Sequence, residues 1–273
     1  MTGLLTEAGK RIATRWLRSV LLPGLLLVAV AGCAAVLGHR HALDIDALIA
    51  AAERTATARR PRPVRLVVEI ILALVLAGLL GVTARGAGRL VQRFWLRERH
   101  LLPAVAGSRW SRRNRALAAA RRRGIEPVRA YVPRRPTWMG DRVSLIEARV
   151  RAQYRFSATL VWPRIWLLTP EPVHAPIGNA RTRFDEAGVL AGWAALYLLV
   201  GAFWWPAALA GLVIALTAVW RARVALDEFG TLVESAIDLH WRALAEALGI
   251  TIAGQEISAA EAASIEDRLH KGG

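Results

Sequence analysis

Residues 187–220 read AGVLAGWAALYLLVGAFWWPAALAGLVIALTAVW, 34 positions without an acidic, basic or histidine side chain. As one straight helix this stretch would be roughly 50 Å long, against a bilayer hydrocarbon core of about 30 Å, so a single crossing would leave apolar turns in water. A hairpin removes the excess. Phe203-Trp204-Trp205-Pro206 supplies the turn: proline suits the first turn of a new helix, and the aromatic rings settle at headgroup level. The stretch therefore predicts two spans, at about 187–203 and 206–220, within a membrane hairpin over 185–221.

Two more spans are expected upstream. Ser19 to Leu37 and Val64 to Val82 are apolar runs of sufficient length, and together they make an N-terminal hairpin within 1–83. Residues 1–18 carry four basic side chains against Glu7 and space Leu4, Leu5, Ile12, Trp16 and Leu17 as an amphipathic entry helix. In the connector, Asp44 or Asp46 is placed to cap a short helix with Leu43, Leu48, Ile49 and Ala52 on its apolar side, lying on the membrane surface. Glu69 is the one acid within a span, and Arg65, one turn earlier, is spaced to form an interfacial ion pair with it.

Charge sets the topology. From Ala84 to Phe184 there are 22 arginines against five acids, which makes 84–184 a basic cytoplasmic region, with helices expected at about 85–100, 111–123, 139–154 and 160–169 and a short extended piece at Val128 to Val132. Residues 222–273 carry nine acids against four basic side chains. There Leu226, Phe229, Val233, Ile237, His240, Leu244 and Leu248 recur at helical spacing, with Gly249 as a stop and a last short helix near Ser258. The two halves attract, and the stripe of Phe229, Val233, Ile237 and Leu244 is expected to pack on helix 139–154 or on a second copy. The expected architecture is all-α: four transmembrane helices in two hairpins, a helical cytoplasmic domain, and both termini cytoplasmic.

Composition narrows the chemistry. Of 37 basic residues only Lys10 and Lys271 are lysine, a bias that a GC-rich genome or a role in anion binding would each produce. Arg109, Arg112, Arg113, Arg115, Arg121, Arg122 and Arg123 exceed what pairing with acids can absorb. The expected contact is an anionic lipid headgroup, each base near an anionic leaflet contributing about 1 kcal/mol. An unidentified cytoplasmic protein is the second candidate. Nucleic acid ranks last, because no zinc finger or ribonucleoprotein-type aromatic motif accompanies the arginines.

The single cysteine, Cys33, excludes an intrachain disulfide. Val30-Ala31-Gly32-Cys33 after a basic segment looks like a lipobox, but the apolar run continues past the cysteine, which favours a retained span over a lipidated terminus. His39, His41, Asp44 and Asp46 are metal-ligand types, and a solvated helix start explains them equally; no metal or cofactor is expected. Arg85-Gly86-Ala87-Gly88-Arg89 lacks the strand and helix context of a phosphate loop, and the histidines are scattered. No enzyme is expected. Small residues at four-residue spacing, Ala77 and Gly81, Gly188 and Gly192, and Ala207, Gly211 and Ala215, offer faces for close helix packing.

Gly140-Asp141-Arg142, Glu147-Ala148-Arg149, Tyr154, the run Val161-Trp162-Pro163-Arg164-Ile165-Trp166-Leu167-Leu168-Thr169-Pro170 and Asn179-Ala180-Arg181, followed by the apolar hairpin, resemble a pattern found in uncharacterised multi-span actinobacterial membrane proteins. The resemblance covers roughly residues 136–248. It implies a bacterial inner-membrane location and a cytoplasmic region followed by a hairpin, and it brings no activity. Trp162 and Trp166 suit either a short helix at the membrane interface or a tryptophan pair filling the domain core. The expected role is a non-enzymatic membrane anchor or scaffold, with a homo-oligomer as one expected assembly; the competing expectation is an oligomeric pore-forming or membrane-disrupting effector.

Overall fold

The computed structural model describes residues 21–58, 63–97, 115, 118, 119, 121–124, 135 and 137–270. Among these residues every regular element is helical. The labelled helices are α1 (Leu22–Leu37), α2 (Ile45–Ala58), α3 (Pro63–Trp95), α4 (Trp138–Tyr154), α5 (Ala158–Leu168), α6 (Glu171–Gly201), α7 (Trp205–Ala247) and α8 (Ala259–Leu269). The expected extended piece at 128–132 and the entry helix at 1–18 lie outside the described residues.

Three helices among the described residues, not the expected four, are long and apolar enough to cross a bilayer: α3, α6 and α7. The first expected span appears as α1, whose 16 residues give about 24 Å, short of a hydrocarbon core of about 30 Å. Gly38 (φ 58°) ends it ahead of His39-Arg40-His41, while Ser19 and Val20, counted in the expected span, fall outside the described residues. Two of the other spans continue as helix beyond the apolar run, as the sequence leads one to expect: α3 past Val82 to Trp95, and α7 through the acidic stretch to Ala247. α6 starts earlier than expected, at Glu171. No breaker lies at 82, 187 or 220 to stop them, and Pro176 inside α6 does not end that helix.

The chain divides into two compact units, residues 1–92 with 186–221 and residues 93–185 with 222–273. In the first, helices meet over small residues. A Cβ on Gly24 would come within 2.5 Å of the Ala77 carbonyl oxygen, one on Gly88 within 2.5 Å of the Gly188 oxygen, and one on Gly192 would collide with the Ala84 oxygen. The contacts of Gly88 with Gly188 and of Ala84 with Gly192 run in opposite sequence directions, so α3 and α6 are antiparallel. Leu27, Ala84, Trp193 and Tyr197 form the buried centre, whereas Leu66, Val67, Ile70, Ile71, Leu74 and Val75 of α3 are exposed.

Residues Ala202 to Trp204 turn α6 into α7, with the N–H groups of Phe203 and Trp204 both donating to the Val200 carbonyl, at 3.0 and 3.1 Å. The segment after α1 reaches this turn: His39 Nε2 lies 2.8 Å from the Ala202 oxygen, and Trp204 Nε1 donates to the Ala42 oxygen at 3.0 Å. Asp44 rather than Asp46 caps α2, accepting from the Ala47 N–H at 2.9 Å.

The second unit has its own core. Ile146, Val150, Tyr154, Phe156, Val161 and Ile165 pack with Val233, Ile237, Trp241, Leu244, Ile257 and Ile265. Local signals fix the helix ends: the Thr137 hydroxyl caps α4 at the Gly140 N–H, and Arg155 in the left-handed region (φ 64°) closes it. Gly249 (φ 69°) closes α7 while the Ile250 N–H turns back to the Ala245 oxygen. Ser258 and Glu261 form a reciprocal capping box on α8.

Candidate functional site

The polar organisation of the second unit lies where α4 meets the later part of α7. Arg142 Nε approaches Asp227 Oδ1 to 2.8 Å, Arg149 Nη1 approaches Glu234 Oε2 to 3.3 Å, and the Tyr154 hydroxyl donates to Asp238 Oδ1 at 2.8 Å. Moving along α4 moves the partner along α7 in the same direction, so the two segments are parallel and in register. Gly230 admits the close approach: a Cβ there would meet Ile146 Cδ1 at 2.7 Å. Buried within this seam, Arg142 Nε and Glu234 Oε1 make no hydrogen bond; the Arg142–Asp227 pair is close but off the N–H line.

Burial, followed by the negative charge and hydrogen bond of Asp238, pushes the Tyr154 phenol well above its ordinary value. The phenol therefore stays protonated and donates. Glu147 behaves oppositely. Burial alone would raise its carboxyl, but Arg151, Ser157 and the Thr159 N–H together hold it below the usual glutamate range. Its Oε2 accepts from the Thr159 N–H at 3.1 Å and Glu266 Oε1 accepts from the Ser157 N–H at 2.7 Å, so two carboxylates satisfy the N-terminus of α5. Arg183 Nη2 bonds Glu228 Oε1 at 2.6 Å, and Arg223 lies 5.5 Å above the Trp138 ring.

Loop anchoring accompanies these pairs. Thr137 donates its hydroxyl to the Trp95 oxygen and Arg135 Nη1 donates to the Leu96 oxygen at 3.2 Å, satisfying the last carbonyls of α3. Arg135 and Thr137 are thereby tied to the C-terminal end of α3.

The sequence candidates fall as follows. Arg109, Arg112 and Arg113 lie outside the described residues. Arg115, Arg121 and Arg122 are helical and exposed, and Arg123 is exposed in the turn at Gly124 (φ 71°). Arg65 and Glu69 pair at 3.1 Å on an exposed face of α3. Val233, Ile237 and Leu244 are buried in the second core with Phe229 packed against it, and His240 is half-buried with Nδ1 3.0 Å from the Ala236 oxygen. Trp162 packs on the same core and lies 5.7 Å from Trp166, which stacks on His174 at 4.1 Å. Cys33 is half-buried. Gly188, Gly192 and Ala77 lie at helix contacts, and Gly211 packs against Leu198.

The acids of α7 were legible as a charge excess, but not as the partners of α4. Spacing was the available signal: Arg142 and Arg149 are seven apart, as are Asp227 and Glu234. Among the described residues no three histidine, cysteine or carboxylate side chains converge as a metal site; His41 and Asp44 are 3.8 Å apart while His39 faces the Ala202 oxygen. No family model, curated protein or solved structure matches the chain, and its role rests on its own residues.

Proposed function

We propose that the chain is a four-pass protein of the bacterial cytoplasmic membrane, with both termini cytoplasmic, that acts as a non-enzymatic anchor or scaffold. α3, α6 and the first part of α7 are three of the passes, and the shorter apolar helix α1 is the proposed fourth. The observation that carries this reading is the contrast between the units: the first exposes aliphatic side chains along α3, whereas the second buries its own apolar core beneath ion pairs. A folded domain built from both 138–168 and 226–269 requires those segments to occupy one aqueous compartment. The arginine excess of residues 84–184, 22 against five acids, argues for the cytoplasm as that compartment.

The exposed arginines Arg115, Arg121, Arg122 and Arg123, with Arg109, Arg112 and Arg113 beside them in sequence, are the proposed contact for anionic lipid headgroups. A cytoplasmic protein with an acidic surface is the other partner this charge would recruit. The test uses a Cys33→Ser chain with single cysteines at Arg122 and Gln255 in oriented vesicles. An impermeant maleimide should label both from the same side, and labelling at 122 should slow when anionic lipid is added to neutral vesicles. Labelling from opposite sides overturns the topology; equal rates in both lipids overturn the lipid contact.

A further inference from the structure

We propose that α2 lies in the plane of the bilayer surface, with Leu43, Ile45 and Ile49 set into the headgroup–acyl boundary of the leaflet reached by the α6–α7 turn. The proposal deepens, and rests on, the reading of the first unit as membrane-spanning.

The helix has three sides. Ala47, Leu48 and Ala51 are half-buried, and α2 contacts α1. Asp46, Glu53 and Arg54 make a polar side. Between these two sides runs an apolar ridge exposed to the surroundings, with Leu43 at 72%, Ile45 at 69% and Ile49 at 50% of full accessibility. Two large aliphatic side chains one turn apart on a short helix, with a third in the turn that leads into it, are costly to leave in water, and an amphipathic helix of this kind characteristically buries such a face about 5–10 Å into the interfacial region.

The position of α2 in its unit identifies the occupant. His39 and Ala42 are held to the α6–α7 turn through the Ala202 oxygen and Trp204 Nε1, so α2 begins at the level of that turn. Phe203, 71% exposed, and Trp205 mark the same level with aromatic rings. Exposed apolar side chains flank the segment along the chain: Val36 near the end of α1, and Val64, Leu66 and Val67 at the start of α3. A lipid interface meets all of these at once. The Trp204–Ala42 hydrogen bond then sets the depth of the helix relative to the turn.

The experiment uses the full chain carrying Cys33→Ser, with an environment-sensitive fluorophore on single cysteines at Ile45, Ile49, Glu53 and Leu72, reconstituted in phosphatidylcholine vesicles with acyl chains brominated at shallow or deep positions. Leu43→Cys reads the same ridge should Ile45→Cys fail to insert. The expected result is loss of emission at Ile45 and Ile49, larger with shallow than with deep bromines, little loss at Glu53, and strong loss at Leu72. Quenching of Ile49 by aqueous iodide instead of lipid, with Leu72 still quenched by lipid, would place α2 in water and overturn the proposal. Shielding of Ile49 from both quenchers would mean that protein, such as a second copy of the chain, covers the ridge, which also overturns it. If Leu72 escapes lipid quenching, the membrane-spanning reading itself fails.

Discussion

Arg149 Nη1 and Glu234 Oε2 are 3.3 Å apart although 85 residues separate them in the chain, and Tyr154 meets Asp238 across 84. Nearly equal separations mean parallel helices: α4 follows the direction of α7 as one strand of charge follows another. Because Glu234 is largely buried and its Oε1 has no hydrogen bond, removing Arg149 should leave a carboxylate in a poor environment. Arg149→Ala is expected to cost about 1–3 kcal/mol of stability. Adding Glu234→Gln should recover part of that loss, as read by chemical unfolding of the four variants of a double-mutant cycle.

The α7 stripe and its opposite face give a contrasting pair. Ile237 is fully buried in the core that α4, α5, α7 and α8 share, so Ile237→Ala should cost about 2–5 kcal/mol. Leu239, two residues on, is 77% exposed, and Leu239→Ser should stay within about 0.5 kcal/mol of the parent. The triple replacement of Phe229, Val233 and Ile237 by alanine should abolish protease resistance of the second unit. Retention of a resistant fragment would show that this stripe is not its core.

Acid and alkali should act through different residues. The Glu147 carboxyl is held below its ordinary range in the folded chain, so its contribution is complete above about 4.3 and is lost as pH falls through and below that value. Glu147→Gln should flatten the acid side of the stability profile. The Tyr154 phenol is raised: its contribution is complete below about 10, and is lost as pH climbs beyond the point where the unfolded chain ionises. Tyr154→Phe should cost about 1 kcal/mol at neutral pH and remove that alkaline loss.

Gly192 should tolerate no side chain. Its missing Cβ faces the Ala84 backbone oxygen and, at 2.8 Å, the Gly88 nitrogen, so relief requires α3 and α6 to separate. Gly192→Val is expected to lower the yield of folded protein in detergent, while Gly86→Ala, with nothing within 4 Å of the added carbon, should be neutral or slightly favourable. Equal thermal transitions for the two variants would contradict this contact.

Much of the architecture was written locally. The 187–220 run with its Phe-Trp-Trp-Pro interruption determined a helical hairpin, observed with its turn at 202–204, and Gly249 and Ser258 marked helix boundaries because caps depend on groups three or four residues away. Helix 139–154 was equally legible from its apolar spacing. The extension of α6 back to Glu171 was not: polar residues such as Asn179 and Arg183 hide a helix whose apolar side chains, Ile177, Ala180 and Phe184, are buried.

By itself, then, the sequence determined helical class, the apolar segments and the ends of several helices, all properties of neighbours along the chain. Tertiary structure alone decided that α4 lies parallel to the end of α7, that Glu147 and Glu266 serve the N-terminus of α5, and that Trp204 reaches back to Ala42. The physical reason is range. An amphipathic stripe states that an apolar face must be covered, whereas its partner is chosen by shape and charge complementarity between segments some 85 residues apart.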